Sequence, residues 1–493
     1  MMQPELLLPS WPIFDFCEID GFDFSSSFAS PEEYSSEISS KSNLRNTFQD
    51  EFFDLENLGD EIHICSAMEE ICEWINGDET EGNSSSPITI EEDEWSPSLC
   101  QESSRDSTLL PIHITDMSLV FPGDDVTVDD HLSLLHLLRA YGEAVENGEK
   151  KLSEVIVKSI NNKSSPQGNT VERVAYNLFQ SGESRGEFLR EESIKNIEVA
   201  FNVLYQSLPN GRFAHFAANS AILESIPKDA VAIQIVDFDM GEGIQWPPLI
   251  EALSKGKVKL MKITSVKLEE ESESTSSCWS FEGTKKRLLA HARQFGVALQ
   301  IEERRIEDFA SEMMVKSGEW VVYNCTVGLP HMVRRRSRRS VNEFLKVAKE
   351  MLANYGGILN IGDGEEVGES LNNFASYFAN FVRHYQAVFE SLEGNCPVYL
   401  AEARTAMERL FLAPFMCPLA WFQDWEEMRK SGVFREESSW LEGRKISQEN
   451  LAEAKVMVNE RESSYSVRIE KLRENEMVLQ WKGTPLVRVS TWI

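Results

Sequence analysis

The chain has 493 residues, 42% hydrophobic and 26% charged, with 48 Lys and Arg against 81 Asp and Glu for a formal net charge of −33. That length allows two to four domains and at least one large core. So acidic a surface repels a phosphate backbone, which excludes a broad basic DNA-coating face, and no apolar run reaches the ~20 residues a membrane-spanning helix needs.

The charge is unevenly placed. Residues 1–130 hold 31 acidic and 3 basic side chains, whereas the remaining 363 residues hold 50 and 45. The front segment is Ser-rich and aperiodic. It cannot bury enough apolar area to offset the roughly 1–2 kcal/mol of backbone entropy per ordered residue, so it is expected to be disordered when free. Yet Trp11, Phe14, Phe16, Phe22, Phe24 and Phe28 alternate with Asp15, Glu18, Asp20 and Asp23. Phe52 and Phe53 sit beside Asp50, Glu51, Asp54 and Glu56, and residues 68–75, with Trp74, read as a short amphipathic stretch. Acidic residues that keep aromatics solvated for a partner's groove are the composition of a transcriptional activation segment. A solubilising tail with incidental aromatics is the alternative.

Helical periodicity begins at residue 131. Leu134, Leu137, Leu138, Tyr141 and Val145 form one apolar stripe, the candidate partner interface. Leu134 to Leu138 also fits an LxxLL docking box, a pattern that any buried Leu-rich helix produces. Further helices are predicted near residues 152–160, 171–179, 194–208 and 213–226, with breaks at Pro166 and at Pro209-Asn210-Gly211. Residues 131–226 thus read as a helical cap.

An α/β core is expected over residues 227–493. Residues 230–237 are a nearly continuous apolar run ending in Asp237, the form of a buried parallel strand. A glycine turn and a Pro-opened helix follow, the opening of a Rossmann-like unit. Strands are predicted at 260–266, 297–301, 320–325 and 357–361, with helices at 283–295, 342–352, 367–392 and 401–431. Residues 477–481 and 486–492 read as a C-terminal antiparallel hairpin. The fold class is α/β: a Rossmann-like, methyltransferase-like, mostly parallel sheet with that hairpin and the α-helical cap.

Asp239-Met240-Gly241-Glu242-Gly243 satisfies D-x-G-x-G, similar to the first motif of S-adenosylmethionine-dependent methyltransferases. Asp237, Asp239, Gly241 and Gly243 are the residues such a ligand would use. Glu242 would oppose a ligand carboxylate, and the second strand lacks a following acid to hold a ribose. There is no GxSxG, HExxH or GKS/T motif, and the eight His are dispersed. The eight Cys form no CxxC pair, against both a zinc site and a disulfide framework. No catalytic residue, metal or cofactor is expected.

Several blocks resemble the plant GRAS family. Leu134-Leu135-His136-Leu137-Leu138-Arg139-Ala140-Tyr141 resembles its first leucine-rich element, and Phe213-Ala214-His215-Phe216-Ala217-Ala218-Asn219 the stretch before its central motif. Ile233-Gln234-Ile235-Val236-Asp237, running to Gln245-Trp246-Pro247, is similar to the VHIID block, with Gln234 where a His is usual. Residues 380–392 match the second half of the PFYRE region, and Trp481-Lys482-Gly483-Thr484-Pro485 through Ser490-Thr491-Trp492 the SAW ending. The resemblance covers residues 128–493 and is nearest to the nodulation signalling pathway 2 and scarecrow-like 26 branch. It implies a nuclear plant transcription regulator working in homo- or heteromeric pairs with other GRAS proteins. The branch implies symbiotic signalling in nodulation or mycorrhization and control of strigolactone biosynthesis genes.

One dense basic cluster remains: Arg334, Arg335, Arg336, Arg338 and Arg339. It reads as a nuclear import signal, as a phosphate contact with DNA, or as an anchor for an acidic patch in this chain or a partner. No helix carries a row of side chains suited to base edges, so promoter DNA is expected to be reached mainly through a partner.

Overall fold

The computed structural model describes residues 130–179, 197–267, 280–306, 308, 318–332, 335–365, 373–396, 398–431 and 441–493. The acidic segment, with Trp11, Phe14, Phe16, Phe22, Phe24, Phe52, Phe53 and Trp74, lies outside the described residues.

Helices α1 (Asp130–Glu146), α2 (Lys150–Lys163), α3 (Thr170–Phe179), α4 (Ile197–Ser207) and α5 (Pro209–Ser225) come first. Helix α4 ends at Ser207, ahead of Pro209 as expected, but the following helix begins at Pro209 itself and not near residue 213. Pro209 opens α5, where its missing N–H costs nothing. Gly211 is required there, because a Cβ would come within 2.6 Å of Tyr205 and 2.7 Å of His331.

Then β and α alternate: β1 (Ala232–Asp237), α6 (Trp246–Lys255), β2 (Leu260–Lys267), α7 (Phe281–Gln294), β3 (Ala298–Arg305), β4 (Glu319–Val327), α8 (Arg338–Tyr355) and β5 (Ile358–Asp363). Helix α9 (Phe374–Gly394) is followed by α10 (Ala401–Met407), a π-helical turn (Glu408–Leu412), α11 (Ala413–Met416), α12 (Pro418–Ser431) and α13 (Gln448–Met457). Strands β6 (Tyr465–Glu470), β7 (Arg473–Trp481) and β8 (Thr484–Trp492) end the chain.

The eight strands are ordered β3-β2-β1-β4-β5-β8-β7-β6. The first five are parallel, and β8, β7 and β6 add on antiparallel. The expected C-terminal hairpin is therefore a three-stranded meander. Its outer strand β6 escapes a reading by apolar pattern because Arg468 and Glu470 interrupt an already short run.

Side chains alternate across the sheet with the strand period of 2. Ile233 and Ile235 of β1 pack with α6 and α7 on one face, while Val236 and the odd residues Val321 to Val327 of β4 pack with α8 on the other. Buried apolar runs follow from this coverage on both faces.

The cap is not confined to residues 131–226. Its apolar cluster joins α1, α3 and α4 to α9, the 401–416 helices and Trp421 of α12. Conversely, α5 lies on the sheet, against β5 and β8.

Candidate functional site

In open α/β sheets the ligand crevice lies beyond the strand ends where the strand order reverses, here between β1 and β4. The register sets Asp237 opposite Asn324 at that point. Asn324 Nδ2 donates to Asp237 Oδ1 at 3.0 Å, and Trp246 Nε1 donates to Asp237 Oδ2 at 3.1 Å. Asn324 and Gln245 exchange amide hydrogen bonds at 3.0 and 3.2 Å, and Asn219 Nδ2 of α5 donates to the Gln245 carbonyl at 2.7 Å. Burial raises the Asp237 carboxyl to about 7, helped by the charges of Asp239 and Glu242 and opposed by its two donors. Asp237 thus ties β1 to β4 and α6, with both oxygens occupied, and Asn219 joins α5 to the same network through Gln245.

The glycine turn serves packing as well. Gly241 and Gly243 have φ of +50° and +75°, which an L side chain adopts only at a cost. A Cβ on Gly243 would meet Thr284 of α7 at 2.7 Å, and Thr284 Oγ1 donates to the Gly241 carbonyl at 3.0 Å. Glu242, read from the sequence as an obstacle to a ligand carboxylate, is buried and meets His331 Nε2 at 3.2 Å.

The arginine cluster pairs with carboxylates around the crevice. Arg336 Nε lies 2.6 Å from Asp239 Oδ2. Arg335 bridges Glu365 at 3.1 Å and Asp424 at 2.6 Å, and donates to the Ala420 carbonyl at 2.9 Å. Arg338, in the first turn of α8, meets Asp424 at 2.8 Å. Tyr377 and Tyr385 donate to Asp424 and Glu365 at 2.9 Å each. Burial would raise the Asp424 carboxyl, but the two guanidiniums together outweigh it and hold it below the ordinary value.

For Arg335, Arg336 and Arg338 this geometry matches the third reading of the cluster, an anchor for acidic groups of this chain. Arg335 and Arg338 join the loop after β4 and the start of α8 to α12, and Arg336 joins the same loop to the turn after β1. Arg334 lies outside the described residues, and Arg339 is exposed.

The α1 stripe also packs within the chain. Leu134 and Leu138 are 1% and 2% exposed, and Leu137, Tyr141 and Val145 pack against the same core. The Tyr141 ring sits 4.8 Å from Phe179 and 5.2 Å from Phe378. Leu134 and Leu138 thus serve this chain's own core, with Leu137, Tyr141 and Val145 partly buried beside them.

Sequence reasoning missed Asp424, Glu365 and the second buried ion-pair set, in which Arg173 meets Glu393 and Glu408 at 3.1 Å each. A single charge within a helical pattern carries no signal that it points inward. Among the described residues no cluster of three or more His, Cys, Asp or Glu could hold a metal ion, and no helix is long and apolar enough to cross a membrane.

The GRAS domain family signature matches residues 134–493. The chain belongs to the GRAS domain family. Among its relatives, Protein NODULATION SIGNALING PATHWAY 2 of Lotus japonicus is 29% identical over 394 residues, 73% of this chain and 76% of that protein. Scarecrow-like protein 26 of Arabidopsis thaliana is 28% identical over 395 residues, 73% of this chain and 78% of that one. The crystal structure of SCL7 from Oryza sativa superimposes with a TM-score of 0.57 at 24% identity, covering 73% of this chain and 99% of that one, a likeness of fold. The GRAS family consists of plant regulatory proteins and includes nodulation-signalling relatives.

Proposed function

We propose that this GRAS protein is a nuclear, non-enzymatic regulator of transcription that works through protein partners. The partner is a second GRAS chain, identical or different, and residues 1–130 engage the transcription machinery. The setting is symbiotic signalling, in nodulation or mycorrhization, including control of strigolactone biosynthesis genes.

One observation carries the non-enzymatic part. At the strand-order reversal, where a ligand of this fold class would lie, Asp239 and Glu242 of the glycine turn already have partners within the chain, Arg336 and His331. The relatives' regulatory names support the rest.

Calorimetric titration of the whole protein with S-adenosylmethionine should give no saturable binding tighter than about 1 mM, or roughly −4 kcal/mol. Saturation at micromolar ligand would replace this reading with that of a ligand-binding, methyltransferase-like protein. Pull-down from nuclear extract with mass spectrometry should return a GRAS partner. A gel shift at ~150 mM salt, where screening acts over about 8 Å, should show tight promoter binding only with that partner present.

A further inference from the structure

Helix α2 buries Ile156 and Ile160 against the cap, yet its opposite side is not uniformly polar. Leu152 is 47% and Val155 59% exposed, one helical turn apart. Lys151 and Lys158 flank them, and the helix as a whole carries four lysines against the single acid Glu154. Two exposed aliphatic side chains within a lysine border match a ligand that offers apolar side chains and carboxylates together.

The chain itself contains such a segment. Met68, Ile71, Cys72 and Ile75 fall at i, i+3, i+4 and i+7, the spacing of one helical stripe, with Glu69, Glu70 and Glu73 between them. Three carboxylates answer the net three positive charges of α2.

Chain connectivity favours the encounter. Residues 147–149 return α2 along α1, so the front segment, which joins α1 at Asp130, enters beside the Lys163 end of α2. Residues 76–129, at up to ~3.3 Å each, span many times the ~21 Å length of a 14-residue helix. A tethered segment meets its site at an effective concentration in the millimolar range, so a modest contact suffices.

We propose that the exposed face of α2, centred on Leu152 and Val155 between Lys151 and Lys158, is an intramolecular docking site for residues 68–75. Docking withholds Trp74 and its acidic neighbours from other partners. That consequence rests on the activation-segment reading above, but the contact does not, and the following test reads the contact alone.

In the full chain, Trp74 is replaced by photoreactive benzoylphenylalanine, and crosslinks are mapped by mass spectrometry in an equal mixture of ¹⁴N- and ¹⁵N-labelled protein. Crosslinks should fall on residues 150–163 within single molecules. Lys151→Glu with Lys158→Glu should reduce them several-fold, and Glu69→Lys, Glu70→Lys and Glu73→Lys on that background should restore them. Leu152→Ser with Val155→Ser provides a charge-neutral variant at exposed positions, expected to keep the circular dichroism spectrum while losing the crosslink. Crosslinks on other surfaces, crosslinks joining ¹⁴N to ¹⁵N chains, or a yield indifferent to these changes would each overturn the proposal.

Discussion

Arg335 and Asp424 meet at 2.6 Å and tie the loop after β4 to helix α12 of the cap. Arg338 reaches the same carboxylate oxygen at 2.8 Å, and Tyr377 donates to the other at 2.9 Å. The cluster is therefore one carboxylate shared by two guanidiniums, out of water.

Removing that carboxylate takes a buried partner from two guanidiniums and leaves Arg335 with Glu365. Asp424→Ala should cost about 3–5 kcal/mol of stability by urea unfolding, whereas Arg429→Ala, in an exposed pair with Glu426, should cost under about 1 kcal/mol. The Asp424 carboxyl is held low in the folded state. Its stabilisation is thus fully present above the unfolded carboxylate value near 4 and is lost as pH falls through its folded value. Comparable losses from both variants would show that the cluster is not buried as described.

Asp237 has the opposite sign. Its folded value of about 7 lies above the unfolded value near 4, so between these limits the native state binds the extra proton. Stability therefore declines through this residue as pH rises from 4 to 7, by up to about 1.4 kcal/mol per pH unit. Urea midpoints of Asp237→Asn should show a shallower decline over that window than those of the parent protein. Parallel profiles would refute the buried-acid assignment.

The two glycines of the turn should differ. Gly243→Ala combines a positive φ with a Cβ only 2.7 Å from Thr284, adding about 1–3 kcal/mol of overpacking to the ~1–2 kcal/mol of left-handed strain. Gly241→Ala meets nothing within 4 Å and should carry the strain alone. Thermal unfolding of the two variants ranks them, and an equal or reversed order would contradict the packing role.

Leu138→Ala should cost about 2–5 kcal/mol, because Leu138 is 2% exposed in the cap core. His136→Ala on the exposed side of α1 should stay within about 0.5 kcal/mol. If Leu138 served docking instead, its truncation would weaken partner binding while leaving unfolding unchanged.

With Arg335, Arg336 and Arg338 paired to carboxylates, Arg339 is the one exposed arginine of the cluster among the described residues. The slope of log affinity against log salt for non-specific DNA should then be no steeper than about −2 from this loop, and Arg339→Ala should flatten it by about 1. A slope near −5 that survives Asp424→Ala unchanged would mean that the cluster faces DNA after all.

Much of the fold was legible because its signals are local. The apolar run ending at Asp237 is buried on both faces, so its period vanishes in the manner of a parallel strand, and the glycine turn and Trp246-Pro247 mark the helix start. The SAW-like ending read as paired strands because a short turn at Lys482 and Gly483 joins two largely apolar runs. Strand β6 and the full extent of α8 were less legible. Charged residues interrupt the apolar pattern of β6, where Arg468 pairs with Glu470, and occupy the first turn of α8, where Arg338 reaches Asp424.

The sequence by itself determined the division into an acidic front and a neutral body, the helix-then-α/β order and the family, since composition, periodicity and ordered motifs are properties of neighbours along a chain. Only the tertiary structure decided which surface each stripe and charge faces. The α1 leucines announce a buried face but not what buries it, and α9 and α12 supply the answer. The arginines announce positive charge but not its partner. Asp239, Glu365 and Asp424 come from three separate elements, and only the folded chain brings them within hydrogen-bond reach of the arginines.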